Sequence, residues 1–191
     1  MKKIIILLIL FFSSINILSA ETKRIISGND NAKIIIIVYE SLTCSHCANF
    51  HKDIYPLLKK EYLDTGLAKI EFRHFPLDVA AFNASKITQC KADQSLEILE
   101  SLYSNQQAWI KGSGIEEVNN NLKQFIKKEG FNIDFEKCIN DKEIEDYVLN
   151  DRIEGVKNFK INATPTIIIN NKKFEKSLNY KNLKKSLEKL I

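Results

Sequence analysis

An α/β architecture, a sheet domain interrupted by a helical insertion, is predicted by three stretches of the sequence. Residues 34–39, Ile-Ile-Ile-Ile-Val-Tyr, form an unbroken apolar run, the pattern of a strand covered on both faces. The run leads through Glu40 into Cys44-Ser45-His46-Cys47, after which Phe50, Ile54, Leu57 and Leu58 recur at helical spacings of three and four. Over 78–159 the apolar residues keep helical spacing, and strand character returns only at 166–169.

Taken in order, residues 1–20 read as a secretory signal peptide, with Lys2 and Lys3, an apolar run over 4–12, and Ser19-Ala20 before Glu21. Cleavage after Ala20 is expected. Leu18 is bulkier than the small residue usual at that position, so an uncleaved anchor is the alternative, although 4–12 is short for a span of about 20 residues. A polar lead-in follows, with a short strand at 24–27 and a turn at Gly28-Asn29-Asp30-Asn31. The helix that begins near Cys44 extends to about Tyr62, and Pro56 within it predicts a kink, because proline has no N–H to give. Gly66 closes this element.

Over 67–75 the pattern alternates, with Ala68, Ile70 and Phe72 on one face and Lys69, Glu71 and Arg73 on the other, until Pro76 ends the strand. The insertion shows helical stripes at Ala80, Ala84 and Ile87, at Leu96, Leu99 and Leu102, at Val118, Leu122 and Phe125, and at Ile144 and Val148. Loops with Gly112, Gly114 and Gly130 divide them, Asp78 and Asp134 are suited to N-caps, and Trp109 reads as packing. Asn170-Asn171 predicts a hairpin turn before a strand at 172–174, since Asn tolerates positive φ. Asn179 then caps a last helix with Leu183, Leu187 and Leu190 on one stripe. The expected domains are therefore a signal peptide over 1–20, a sheet domain over 21–77 and 160–191, and a helical subdomain over 78–159.

With 191 residues, 45% of them apolar, the chain can build one sizeable core. Its formal charge is +4, and Lys2 and Lys3 belong to the leader, so the remaining balance is too mild to imply nucleic acid. Secretion would let disulfides persist, and the cysteine count is even. The simplest pairing joins Cys44 to Cys47 and Cys90 to Cys138. The second bond would be a structural crosslink across the insertion, typically worth about 2–4 kcal/mol, with two unpaired buried thiols as the alternative.

A C-x-x-C pair occurs in zinc sites and structural disulfides as well as in redox centres. Here it follows a strand, opens a helix and belongs to a secreted chain, which favours a redox pair. A zinc site would want a second close pair of ligands, and Cys90, Cys138, His51 and His74 do not supply one, so no metal and no cofactor is expected. Only the thiolate attacks a disulfide, and the first turn of a helix offers unpaired N–H groups and a positive dipole end to that anion. Cys44 is thus the expected nucleophile and Cys47, one turn on, the expected resolving cysteine, while His46 between them could add positive charge. Lowering the Cys44 pKa by about 3 units would favour the reduced pair by about 2 kcal/mol at pH 7, or roughly 40 mV toward a stronger oxidant. Glu40 could influence proton transfer at Cys47 or could be a solvated surface carboxylate. His51 and His74 read as structural residues.

Several segments together carry a resemblance. Cys44-Ser45-His46-Cys47, Ala48-Asn49-Phe50-His51, Arg73-His74-Phe75-Pro76-Leu77 and Ala163-Thr164-Pro165-Thr166 before a strand resemble secreted thiol-disulfide oxidoreductases of the DsbA type. The resemblance implies a thioredoxin fold with an inserted helical subdomain, and a cis Pro165 beside the two cysteines. It also implies that backbone groups of Thr164 pair with an extended substrate peptide. Ser45 stands where that family often has proline, and Thr164 before the proline also suits relatives that rearrange disulfides.

The expected function is donation of the Cys44–Cys47 disulfide to unfolded or reduced secreted proteins in the periplasm, by a monomer. A quinone-linked membrane thiol oxidase is the reoxidising partner the family implies. A disulfide isomerase or reductase kept in the dithiol form is the nearest alternative, and a non-catalytic peptide-binding or chaperone-like module the next.

Overall fold

The long apolar run becomes the middle of a mixed sheet. The computed structural model describes residues 22–191, so the signal peptide expected over 1–20 lies outside the described residues. Strands β1 (Ile25–Gly28), β2 (Ile34–Glu40), β3 (Ala68–His74), β4 (Thr166–Ile169) and β5 (Lys172–Lys173) lie in the order β1-β3-β2-β4-β5. β2 runs parallel to β3, with Val38 opposite Phe72, and antiparallel to β4, with Val38 opposite Ile167. Ile34, Ile36 and Val38 enter one core cluster with Phe50, Leu58, Ile87, Leu102 and Leu187. Ile37 and Tyr39 enter another with Phe75, Ile161 and Ile168. From Ile36 onward both faces are buried, which is why the sequence of β2 shows no polar alternation.

After β2 the chain turns into α1 (Ser45–Asn49), continues through a π-helical turn (Phe50–Ile54) into α2 (Tyr55–Leu58), and ends in a second π-helical turn (Lys59–Leu63). The expected kink at Pro56 takes this form: proline sits in the first turn of α2, where its missing N–H matters least, and the i→i+5 turns on either side absorb the change of register. Between β3 and β4 lie α3 (Val79–Gln89), α4 (Ser95–Ser104), α5 (Gln106–Trp109), α6 (Ile115–Lys128), α7 (Phe135–Ile139) and α8 (Lys142–Phe159). Asp78 caps α3 and Asp134 caps α7 through their side chains, and Asp141, which the sequence reading passed over, caps α8. Trp109 is fully buried and donates its indole N–H to the Leu102 carbonyl at 3.0 Å. A disulfide joins Cys90 at the end of α3 to Cys138 in α7, across 48 residues, a separation worth about 4 kcal/mol in the chain-entropy account.

Asn170 and Asn171 both take positive φ, 45° and 64°, and make the two-residue hairpin between β4 and β5. The last helix, α9 (Tyr180–Leu187), is capped by Asn179 and buries Leu183 and Leu187. Leu190 departs from expectation. It lies beyond the helix and is 45% exposed, because its N–H donates to the Leu187 carbonyl three residues back, a tighter turn that takes it off the stripe of Leu183 and Leu187.

Helix α8 packs close to the sheet at Gly155, where a Cβ would come within 2.8 Å of the Tyr39 ring. Alanine normally favours a helix over glycine by about 1 kcal/mol, yet overpacking a core costs about 1–3 kcal/mol. Gly155→Ala is therefore expected to lower the unfolding free energy, with urea denaturation as the measurement. An increase would show that Tyr39 moves aside freely.

Candidate active site

Where β2 ends, the chain must turn from strand to helix within four residues, and Cys44 sits at that turn as the N-cap of α1, with extended φ and ψ of −79° and 118°. No side chain caps this helix; the Cys44 carbonyl accepts the N–H groups of Cys47 and Ala48, each at 3.1 Å. The turn is held from both sides. The Thr43 hydroxyl donates to Asp78 at 2.6 Å, while the Leu77 N–H donates to the Ser41 hydroxyl at 3.3 Å. From the insertion, buried Gln106 donates its amide to the carbonyls of Leu42 at 2.8 Å and Cys44 at 3.2 Å.

Cys44 and Cys47 are both free thiols, Cys44 half-buried and Cys47 completely buried. Their chemistry is opposite. The Cys47 thiol donates to the Cys44 sulfur and, against the cost of partial burial, helps draw the Cys44 pKa down to about 5; Thr164 and the backbone N–H groups of Cys47 and His46 add to the effect. Burial pushes the Cys47 thiol well above its usual range, reinforced by its hydrogen bond to Cys44 and by the charge of Glu40. The pair is thus built to hold one thiolate and one thiol.

Thr164 and Pro165 meet Cys44 from the far end of the chain. The Thr164–Pro165 bond is cis, and the Cys44 thiol lies 3.4 Å from the Thr164 carbonyl. An open groove of about 490 Å³ passes this point, lined by His46, Asn49 and Phe50 on one side and by Thr164, Pro165 and Tyr180 on the other. His46 is exposed, and its backbone N–H is among the groups that support the thiolate. Cys90 and Cys138 are bonded to each other, apart from the Cys44–Cys47 pair.

Behind Cys47 lies a polar cluster. Glu40 is 2% exposed, and its Oε2 pairs with His51 Nε2 at 2.8 Å. Burial lifts the Glu40 carboxyl above the usual carboxylate range, and the charge and hydrogen bond of His51 oppose this. The His51 ring stacks on Tyr103, centroids 4.1 Å apart. Of the two alternatives for Glu40, the solvated surface carboxylate is therefore excluded. Among the described residues no group of three or more His, Cys, Asp or Glu side chains could hold a metal ion, and no helix is long and apolar enough to cross a membrane.

A mixed sheet whose central strand delivers a C-x-x-C pair to a helix N-terminus, opposite a cis-proline loop, defines the thioredoxin class. The chain belongs to that family: the model described as Thioredoxin matches residues 20–189. Within it, the chain is similar to alpha-DsbA1 of Wolbachia pipientis, at 28% identity and a TM-score of 0.79 over 91% of this chain and 93% of that one. It is 25% identical over 179 residues to disulfide bond formation protein D of Bacillus subtilis, covering 85% of this chain and 74% of that protein. A Rickettsia bellii protein provisionally named protein-disulfide oxidoreductase is 27% identical over 154 residues, 78% of this chain. The match spans 58% of that relative's length.

Proposed function

We propose that this chain is a thiol-disulfide oxidoreductase that passes its Cys44–Cys47 disulfide to reduced proteins outside the cytoplasm. The asymmetry of the two thiols carries the reading: a half-exposed sulfur that favours its anion stands in front of a buried one that does not. In the first step a substrate thiolate attacks the Cys44 sulfur, the Cys44–Cys47 bond breaks, and Cys47 leaves and takes up a proton. In the second, another substrate thiolate attacks the substrate sulfur of the mixed disulfide, and Cys44 departs as a thiolate. A thiol of low pKa leaves faster, so the environment of Cys44 speeds release of the oxidised product.

The groove beside Pro165 suits an extended substrate peptide whose backbone pairs at Thr164. Glu40, buried against the cysteines, is suited to exchange a proton with Cys47. A membrane thiol oxidase would restore the disulfide, and residues 1–20 would direct secretion. Both extend the similarity to disulfide bond formation protein D and alpha-DsbA1.

Equilibration of the purified protein with glutathione, followed by alkylation of free thiols, tests the reading. The expected result is a reduced Cys44–Cys47 pair in buffers that keep an ordinary structural disulfide oxidised, together with oxidation of a reduced two-cysteine peptide by stoichiometric protein. A pair as hard to reduce as that of a dithiol reductase would overturn it.

A further inference from the structure

Cys47 gains one proton and loses one in each cycle proposed above, yet it has no exposed surface. Glu40, the carboxyl whose charge acts on the Cys47 thiol, is itself 2% exposed, so a proton that reaches it must travel on. His51 is the next group. Its Nε2 pairs with Glu40 Oε2 at 2.8 Å, while Glu40 Oε1 and His51 Nδ1 are buried and have no protein hydrogen-bond partner. Unsatisfied buried polar atoms cost stability, and two of them at the ends of one hydrogen-bonded couple form a relay with open termini. His51 also lines a cleft of about 230 Å³ with Tyr55, Pro56, Lys59, Glu100 and Ser104, polar and roomy enough for several waters.

We propose that His51 is the outer station of a proton route that runs from this cleft through its two ring nitrogens and Glu40 to the Cys47 sulfur. An imidazole takes a proton at one nitrogen and releases one from the other, so no group has to move far. When the disulfide opens, the departing Cys47 sulfur receives a proton from Glu40, Glu40 is reprotonated from His51 Nε2, and His51 takes a proton at Nδ1 from cleft water. Reoxidation runs the same transfers backwards. The titratable groups around His51 are Glu40 of β2, the two cysteines at the start of α1, Tyr55 of α2, Glu100 and Tyr103 of α4, and Lys59 at the rim of the cleft. Cys47 and His51 are four residues apart on one helical stripe, so the helix that carries the reacting pair also carries its proton exit.

The proposal rests on Cys44 and Cys47 being a redox pair, but its test does not depend on the direction of use. The rate at which dithiothreitol reduces the disulfide, and the rate at which oxidised dithiothreitol restores it, are measured for the wild type, His51→Gln and His51→Ala. The glutamine keeps a hydrogen bond to Glu40 and cannot relay a proton; the alanine leaves room for free imidazole. Both variants are expected to slow both directions together by about 10²-fold, as loss of a general acid–base group does, and added imidazole should restore His51→Ala in proportion to its concentration. A residue that merely packs would change stability without rescue by imidazole. Wild-type rates in folded His51→Gln, or a slow His51→Ala that imidazole leaves slow, would sink the route. If His51→Ala does not fold, His51→Gln decides alone. A protein that fails to oxidise peptides but shows these kinetics loses the donor reading and keeps the relay.

Discussion

Cys47→Ala should convert a transient covalent intermediate into an accumulating one. Mixed with the disulfide-linked dimer of a one-cysteine peptide, the variant is expected to appear on non-reducing gels as a one-to-one adduct through Cys44 that dithiothreitol releases, whereas Cys44→Ala should give none. The reason is geometric. Cys47, one turn along the helix, resolves the mixed disulfide intramolecularly, and a well-placed internal group competes with external thiols by effective molarities far beyond their concentration. Its loss should lengthen the adduct's life by at least about 10³-fold. The same substitution removes the first of the groups that lower the Cys44 pKa, so Cys44 of the variant should titrate above about 5. It remains a nucleophile at neutral pH because Thr164 and the backbone N–H groups stay in place. Adducts forming equally well through Cys44→Ala would mean that the buried sulfur is accessible and that the assigned roles are reversed.

Much of this site was legible in the sequence because its parts are local. A buried strand that ends in C-x-x-C, followed by apolar residues at helical spacing, places one sulfur at a helix start and the other a turn later. Glu40 shows what periodicity offered and charge concealed. It continues the series Ile34, Ile36, Val38, which all enter one core, so the period of two already put it inside; its ionisable side chain argued for the surface. His51 lies on the stripe of Cys47, Ile54 and Leu58 by the same logic. Gln106 left no such trace. It reaches the Cys44 carbonyl across 62 residues, and nothing in a polar helix start announces which distant turn it will hold. Tyr180 likewise joins the groove only because the loop after β5 folds back toward Pro165. Contacts between elements depend on how helices pack, and spacing within one element does not encode that. The π-helical turns around Pro56 were hidden too, since the expected kink dispersed into two local changes of register.

The equilibrium between this protein and glutathione should steepen with pH in a way that reports the Cys44 thiolate. Reduction of the disulfide by two glutathione thiols yields Cys47 as a thiol and, above a pH of about 5, Cys44 as a thiolate with one proton released. Below pH 5 no proton is released and the constant should be flat. Between pH 5 and the ordinary thiol range near 8.5 it should rise about tenfold per unit in favour of the reduced protein, or about 10³-fold over three units. The sign for folding follows from the same numbers. Cys44 is depressed from 9.0 to about 5, so it stabilises the folded dithiol form in full above the unfolded value, and that contribution fades as pH falls through about 5. The disulfide form has no such group, so the reduced protein should be the more heat-resistant form at pH 7, with the difference shrinking toward pH 5. Ultraviolet absorbance of the thiolate, followed through the titration, identifies the group. A constant that does not change between pH 5 and 8 would mean that Cys44 ionises like any free cysteine, and the driving force for handing on the disulfide would have to come from elsewhere in the fold.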